Sequence, residues 1–291
     1  MAITVGYLGP KGTFTKLAVQ QVFSEENSVS YETIPACIDA VKNGEIDFGV
    51  VPLENAIEGS VNLTIDYIIH EQQLPIVGEI IVPIRQHLMV HPNNREGWTT
   101  IESVHSHSHA IAQCHQYLHK HLPKVNFHYT KSTGAAAEFV HEHPDLRAAA
   151  IGNELAAKEY GLEIVQHDIH DYDNNHTRFV ILHRQEVVPE TKVEHQGYRT
   201  TFMVTLPSDY AGALHQVLSA FAWRKLNLSK IESRPMKTGL GNYFFIIDVE
   251  MKMDDVLLPS VKAELEVLGC TVKVLGSYPY YKVGQRIANG S

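Results

Sequence analysis

Asn174-Asn175-His176-Thr177-Arg178-Phe179-Val180-Ile181-Leu182 is a polar cluster that runs straight into an apolar stretch. The switch from amides and a hydroxyl to consecutive hydrophobic side chains predicts a loop feeding a buried strand. Such a loop can hold polar groups over a cleft while the strand fixes their positions. Arg178 carries a planar fork of donors suited to a carboxylate, and Thr177 a hydroxyl that donates or accepts. The plainer alternative is a turn in which Asn174, Asn175 and Thr177 bond their own backbone and Arg178 meets a surface carboxylate.

Length frames that strand. At 291 residues the chain exceeds one ordinary domain, so two units are expected. A hydrophobic content of 44% with 20% charged residues is that of a soluble globular protein. The formal net charge of -9 argues against a nucleic-acid partner and confines anion binding to a local site. Cys37, Cys114 and Cys270 are odd in number and far apart, so neither a disulfide framework nor a thiolate metal site is expected. No signal peptide precedes the first strand and no segment reaches the ~20 apolar residues of a membrane span, so a cytoplasmic protein is expected.

Working outward, residues 3–8 predict a strand that enters Gly9-Pro10-Lys11-Gly12-Thr13 and then a helix over 15–23. Strand, glycine loop and helix together point backbone N–H groups at an anion. The spacing matches neither a Walker loop nor a dinucleotide fingerprint, and a plain tight turn is the alternative. A short helix over 38–42 ends at Asn43-Gly44, and Phe48-Gly49-Val50-Val51 reads as a strand covered on both faces. Its carboxyl end opens into the loop 52–60, where α/β sheets bind ligands. Asn55 and Ser60 are the contacts there, although Ser60 serves equally as N-cap of a helix running to about residue 70. After a strand over 76–82 the alternation restarts: strand 100–104, helix 109–121, strand 125–129, helix 133–142, strand 148–151, helix 153–160. Two alternating halves with a late return strand predict two lobes, about 1–82 with 163–184 and 83–162, around a cleft. One continuous sheet would contradict that layout.

Histidines crowd residues 105–128, and His115 and His119 have the helical spacing of a zinc pair. No cysteine or acidic third ligand stands at a recognisable offset, so no metal is expected. His107, beside a helix start, is the histidine expected to face a ligand. Residues 185–197 read as a polar linker. Beyond it, strand 200–206, helix 213–224, strands 228–233 and 243–250, helix 261–268 and strand 271–277 predict a ferredoxin-like βαββαβ unit over 198–280, followed by a tail over 281–291. In that unit the loop Asp209-Tyr210-Ala211-Gly212 and the segment Glu232-Ser233-Arg234-Pro235 stand out. A domain that only dimerises is the plain alternative.

Taken together, the chain resembles prephenate dehydratases that carry a C-terminal ACT regulatory domain. The resemblance rests on an ordered set of segments: Gly9-Pro10-Lys11-Gly12-Thr13-Phe14; Pro52-Leu53-Glu54-Asn55 with Gly59-Ser60-Val61; Ser106-His107 with Ala110 and Ala112-Gln113-Cys114; Ser132-Thr133 with Ala135-Ala136; Asn175 with Thr177-Arg178-Phe179; and Gly212-Ala213-Leu214 followed by Glu232-Ser233-Arg234-Pro235. It implies a periplasmic-binding-protein-like catalytic region over 1–184 and an ACT domain. It also implies dehydration and decarboxylation of prephenate to phenylpyruvate without a cofactor. Thr177, Arg178 and Phe179 would be catalytic, with Arg178 on a substrate carboxylate and Thr177 polarising the leaving hydroxyl. Gly12, Thr13, Phe14, Glu54, Asn55, Ser60, Ser106, His107, Ser132, Thr133 and Asn175 would bind substrate, with Glu54 and His176 as proton-source candidates. L-phenylalanine would bind at Ala211, Gly212, Ala213, Leu214, Glu232, Ser233, Arg234 and Pro235, between the ACT domains of a homodimer or tetramer. Two departures from the family pattern are Ala56, in place of a serine, and Ala211, in place of a proline. With no chorismate mutase helices before Gly6, a monofunctional enzyme is expected. Arogenate dehydratase and a non-catalytic ligand sensor are the rival readings.

Overall fold

The computed structural model describes residues 3–23, 27–208, 210–236 and 243–284. Asp209 of the expected effector loop and the expected tail beyond Gly284 lie outside the described residues. Contacts divide the chain into two units. One takes residues up to Gln73, Ile80–Ile181 and the chain from Lys282; the other takes Leu74–Glu79 and Leu182–Tyr281.

The first unit contains two sheets, as the alternation predicts. Its elements begin β1 (Val5–Leu8), α1 (Phe14–Val22), β2 (Ser28–Tyr31), α2 (Ile34–Asn43), β3 (Phe48–Asn55), β4 (Gly59–Ser60), α3 (Asn62–Asp66) and β5 (Ile76–Pro83), of which residues 76–79 belong to the other unit. They continue with β6 (His87–Val90), β7 (Ser103–Ser106), α4 (Ser108–Ala112), α5 (His115–His121), β8 (Asn126–Tyr129), α6 (Thr133–Glu142), β9 (Ala148–Gly152), α7 (Glu154–Tyr160), β10 (Glu163–Gln166) and β11 (His176–Leu182). In the first lobe β11, β3, β1 and β2 lie side by side, with β1 parallel to both β2 and β3. In the second lobe the order is β10-β6-β9-β7-β8.

Strand β9 shows why that second sheet is apolar on both faces. Ala148 and Ala150 pack with Ala136, Val140 and Ala156 of α6 and α7. Ala149 and Ile151 pack with Ala110 of α4 and Leu118 of α5. Alternate residues thus feed helices on opposite sides.

Several boundaries differ from expectation. Residues 163–166 do not join the first lobe, because β10 pairs antiparallel with β6. The helix expected over 109–121 is two helices, since the loop at Asp171 intrudes at the break. There the Asp171 N–H donates to Gln113 O at 2.7 Å, and its carboxylate accepts from Gln116 N at 3.2 Å. Helix α2 begins at Ile34, four residues early, because Thr33 caps it and a proline stands in its first turn. Ser60 sits on β4, and the α3 N-cap is Val61, with no side-chain cap bond.

The lobes approach closely at the loop after β1. Gly12 has φ +75°, and a Cβ there would lie 2.9 Å from Ala156 Cα. A Cβ on Gly134 would lie 2.5 Å from Lys11 O. Asn153 donates to Gly12 O at 3.1 Å across the same junction. Only glycine permits both the left-handed turn and this approach.

The second unit has the βαββαβ order: β12 (Gly197–Thr205), α8 (Ala213–Ala222), β13 (Leu228–Pro235), β14 (Tyr243–Val249), α9 (Leu257–Val267) and β15 (Thr271–Lys282). Its antiparallel order β13-β14-β12-β15 is that of a ferredoxin-like unit. Phe202, Phe221, Ile247, Leu258 and Val261 form its helix-side core. A polar network lies among the sheet's buried residues, where Thr201 Oγ1 donates to Asp248 and meets Tyr278 OH, each at 2.7 Å. All three cysteines are free and buried.

Candidate active site

A cleft of about 1320 Å³ is lined by residues of both lobes of the first unit. At its wall stand Thr177 and Phe179, two residues apart on β11 and therefore on one face of the strand. Asn55, at the end of β3, donates its Nδ2–H to Thr177 Oγ1 at 2.9 Å. Its Oδ1 accepts from Ile57 N and Glu58 N, at 3.0 and 3.1 Å. The loop thus fixes the Asn55 amide, and the amide fixes the threonine. Because Thr177 Oγ1 accepts from Asn55, its own hydrogen is left to point elsewhere.

Thr13, Phe14, Ser60, His107, Ser132 and Thr133 also line the cleft, as the sequence predicts. Thr13 caps α1 by accepting from Lys16 N at 3.3 Å. Ser132 caps α6 by accepting from Ala135 N at 3.0 Å. Each helix therefore starts at the cleft, and neither has an acidic residue in its first turn.

Six expected residues are not among those lining the cleft. Arg178 lies one residue out of phase with Thr177, and its guanidinium pairs with Glu54 at 2.6 Å. Glu54 is thereby committed to Arg178. Ser106 is fully buried and donates to Ile151 O at 2.7 Å, tying β7 to β9. Gly12 serves the lobe junction. Asn175 is 2% exposed, and neither polar atom of its side chain has a hydrogen-bond partner among the described residues. His176 points away from the cleft into a smaller cavity that it shares with Arg85, Asp168, His170 and Asp173.

Lys131, Gln113 and Gln86 are among the lining residues that carry no site signal in the sequence. Lys131 is the single lysine or arginine among the described lining residues, against Glu32, Glu58 and Glu138. It stands directly before the Ser132 cap. Gln113 was visible only as part of a motif, and a lone Lys131 or Gln86 carries no periodic signal. Burial, and then neighbouring His109, pushes His107 below the ordinary histidine range, partly offset by Glu58. His109 Nδ1 stands 3.7 Å from Glu58 Oε2.

One group of potential metal ligands appears among the described residues, His87 with Glu154 and His167. His87 Nδ1 accepts from Asp168 N at 3.0 Å, so in the neutral ring Nε2 carries the proton and is not free to ligate.

In the second unit, Gly212 occupies the N-cap of α8 at φ +92°. Ala211 and Gly212 are exposed, Ala213 is buried and Leu214 is exposed. Glu232 pairs with Lys230 at 3.0 Å and lies 3.7 Å from Arg234, all on one side of β13. Ser233 and Pro235 lie exposed on the other side.

The family model described as prephenate dehydratase matches residues 5–187. The chain belongs to the prephenate dehydratase family. It is 58% identical to the prephenate dehydratase of Bacillus subtilis over 96% of this chain and 99% of that protein. Among solved structures, the prephenate dehydratase of Arthrobacter aurescens in complex with L-Phe matches with TM-score 0.83 and 36% identity, over 95% of this chain and 90% of that one. A protein described as a quorum-quenching acylase, GqqA, matches with TM-score 0.82 and 26% identity, over 96% of this chain and 98% of that one. The two-sheet unit that carries the cleft is thus the prephenate dehydratase region, in a periplasmic-binding-protein-like arrangement.

Proposed function

We propose that the chain is a monofunctional prephenate dehydratase whose cleft positions a dianion and assists departure of its ring hydroxyl. The observation that carries this reading is the Asn55–Thr177 contact of 2.9 Å, which leaves the threonine hydrogen available to the leaving oxygen. Prephenate has two carboxylates and one ring hydroxyl. The bond from ring to carboxylate breaks, its electron pair enters the ring, and the carbon–oxygen bond breaks as hydroxide leaves. Protonation by solvent completes the balance as phenylpyruvate, carbon dioxide and water. Aromatisation drives the reaction, so the site has to supply positioning and charge stabilisation.

Thr177 polarises the leaving oxygen by donating to it. Threonine is too weak an acid to act alone as the proton source. The first turns of α1 and α6, from opposite lobes, offer one N–H cradle for each carboxylate, with Lys131 beside the second. Arg178 acts indirectly, holding Glu54 and hence the strand end that carries Asn55. Phe179 walls the site. An acylase reading would need Thr177 or a serine activated by a base, and the amide on Thr177 is not one.

We further propose that L-phenylalanine binds the second unit, at Ala211–Leu214 and Glu232–Pro235, in an ACT-type dimer or tetramer. The phenylalanine complex of the Arthrobacter relative supports this. Prephenate and arogenate offered separately to the purified protein test the substrate: turnover of prephenate is expected, and turnover of arogenate alone would contradict the reading.

A further inference from the structure

Gln86 sits on the short segment that joins β5 to β6, between the lobes, and is among the residues that line the cleft. Its backbone is pinned on both sides: its N–H donates to His170 Nδ1 at 3.4 Å and its carbonyl accepts from Ile169 N at 2.8 Å. Neighbouring Arg85 turns the other way, pairing with Asp168 at 3.2 Å. The backbone of Gln86 is thus held at one place beside the cleft. It is 2% exposed, yet its Oε1 has no hydrogen-bond partner among the described residues. A buried acceptor in that state is costly. Asn175 repeats the pattern two residues before Thr177, on the second segment joining the lobes, and that segment's Asn175 carbonyl accepts from Ile84 N at 2.8 Å. Of the two, Gln86 is the one among the residues lining the cleft, and an unsatisfied buried acceptor in a cleft wall indicates a polar group kept for a ligand.

The chemistry of the ligand narrows the role. This step rests on the prephenate reading. A prephenate dianion offers many acceptors but a single hydrogen-bond donor, its ring hydroxyl. A buried acceptor in the cleft therefore has one group to meet. Thr177 donates to that oxygen, and the hydroxyl's own hydrogen then needs an acceptor to fix its direction. We infer that Gln86 is a substrate-contacting residue whose amide oxygen accepts the hydrogen of the leaving hydroxyl and orients it against Thr177.

Gln86→Met keeps length and removes the acceptor, whereas Gln86→Glu keeps acceptors and removes the amide donor. Steady-state kinetics with prephenate and thermal denaturation are measured for both, beside wild type and Thr177→Ala. The Met variant is expected to lose kcat by about 10- to 100-fold while its Tm stays level or rises, because a costly unsatisfied group has gone. A structural amide would instead lower Tm. The Glu variant is expected to keep kcat within about fivefold, with a raised KM from charge repulsion. If the Met variant keeps kcat within about threefold, or the Glu variant is as slow as Met, the assignment falls while the prephenate reading stands. If wild type does not turn over prephenate, both fall together.

Discussion

Asn55→Asp tests the catalytic geometry with a one-atom change. The aspartate keeps the oxygen that accepts from Ile57 N and Glu58 N, so the loop after β3 remains tied. What changes is the group facing Thr177 Oγ1, now 2.9 Å from an amide donor. A carboxylate there can only accept, so Thr177 turns its hydrogen toward residue 55 and away from substrate. The site then loses one positioned donor to a developing oxyanion, worth roughly 3–4 kcal/mol or about 100- to 1,000-fold in kcat. Thr177→Ala loses the same donor and is expected to fall by a similar factor, about 100-fold or more. Because both changes remove one interaction, Asn55→Asp combined with Thr177→Ala is expected to be no slower in kcat than the worse single variant by more than about threefold. The assay is kcat for phenylpyruvate formation at saturating prephenate, with circular dichroism to verify folding. Asn55→Asp within a few-fold of wild type, or fully multiplicative losses in the double variant, would refute the Asn55–Thr177–hydroxyl chain.

Lys131→Met should raise KM for prephenate by about tenfold with little change in kcat, and flatten the salt dependence of kcat/KM, since it removes the sole lysine or arginine among the described lining residues. An unchanged KM would contradict its role. Gly212→Val should abolish phenylalanine inhibition and spare basal turnover. No atom lies within 4 Å of an added Cβ, but φ +92° excludes a β-branched residue; inhibition that survives would place the effector elsewhere. His105 is held at a pKa of about 4, first by burial and then by His128, which stacks on it, and His143, which it reaches through the ring of Phe139. The folded state therefore stays neutral where the unfolded chain gains a proton. Its contribution of up to about 3 kcal/mol is present above pH ~6.5 and is lost as pH falls toward ~4. Denaturant titrations of wild type and His105→Phe should show a shallower acid loss in the variant, and equal slopes would contradict the assignment.

Much of this site was visible before any coordinates. Thr177 and Phe179 stood at the mouth of an obvious apolar strand, and Ser132-Thr133 stood at a helix start with alanines behind it. Arg178 is not among the residues lining the cleft, for a reason the sequence contains: in a strand, the residue between two cleft-facing side chains faces away. Its partner Glu54, 124 positions earlier, was not readable, because pairing at that separation is set by which strands become neighbours. The break between α4 and α5 had the same cause, since the capping Asp171 lies 55 residues beyond Gln116. Strand β2 escaped because it is polar and half exposed along its length, as an edge strand can be. Lys131 and Gln86 had no pattern at all; they matter only because folding brings isolated side chains to one wall.

The most direct measurement is the initial rate of phenylpyruvate formation from prephenate by the purified protein, with and without L-phenylalanine. Turnover without any added metal or cofactor is expected, as is its suppression by phenylalanine. Tight prephenate binding with no phenylpyruvate formed would contradict it and make the two-lobed unit a sensor.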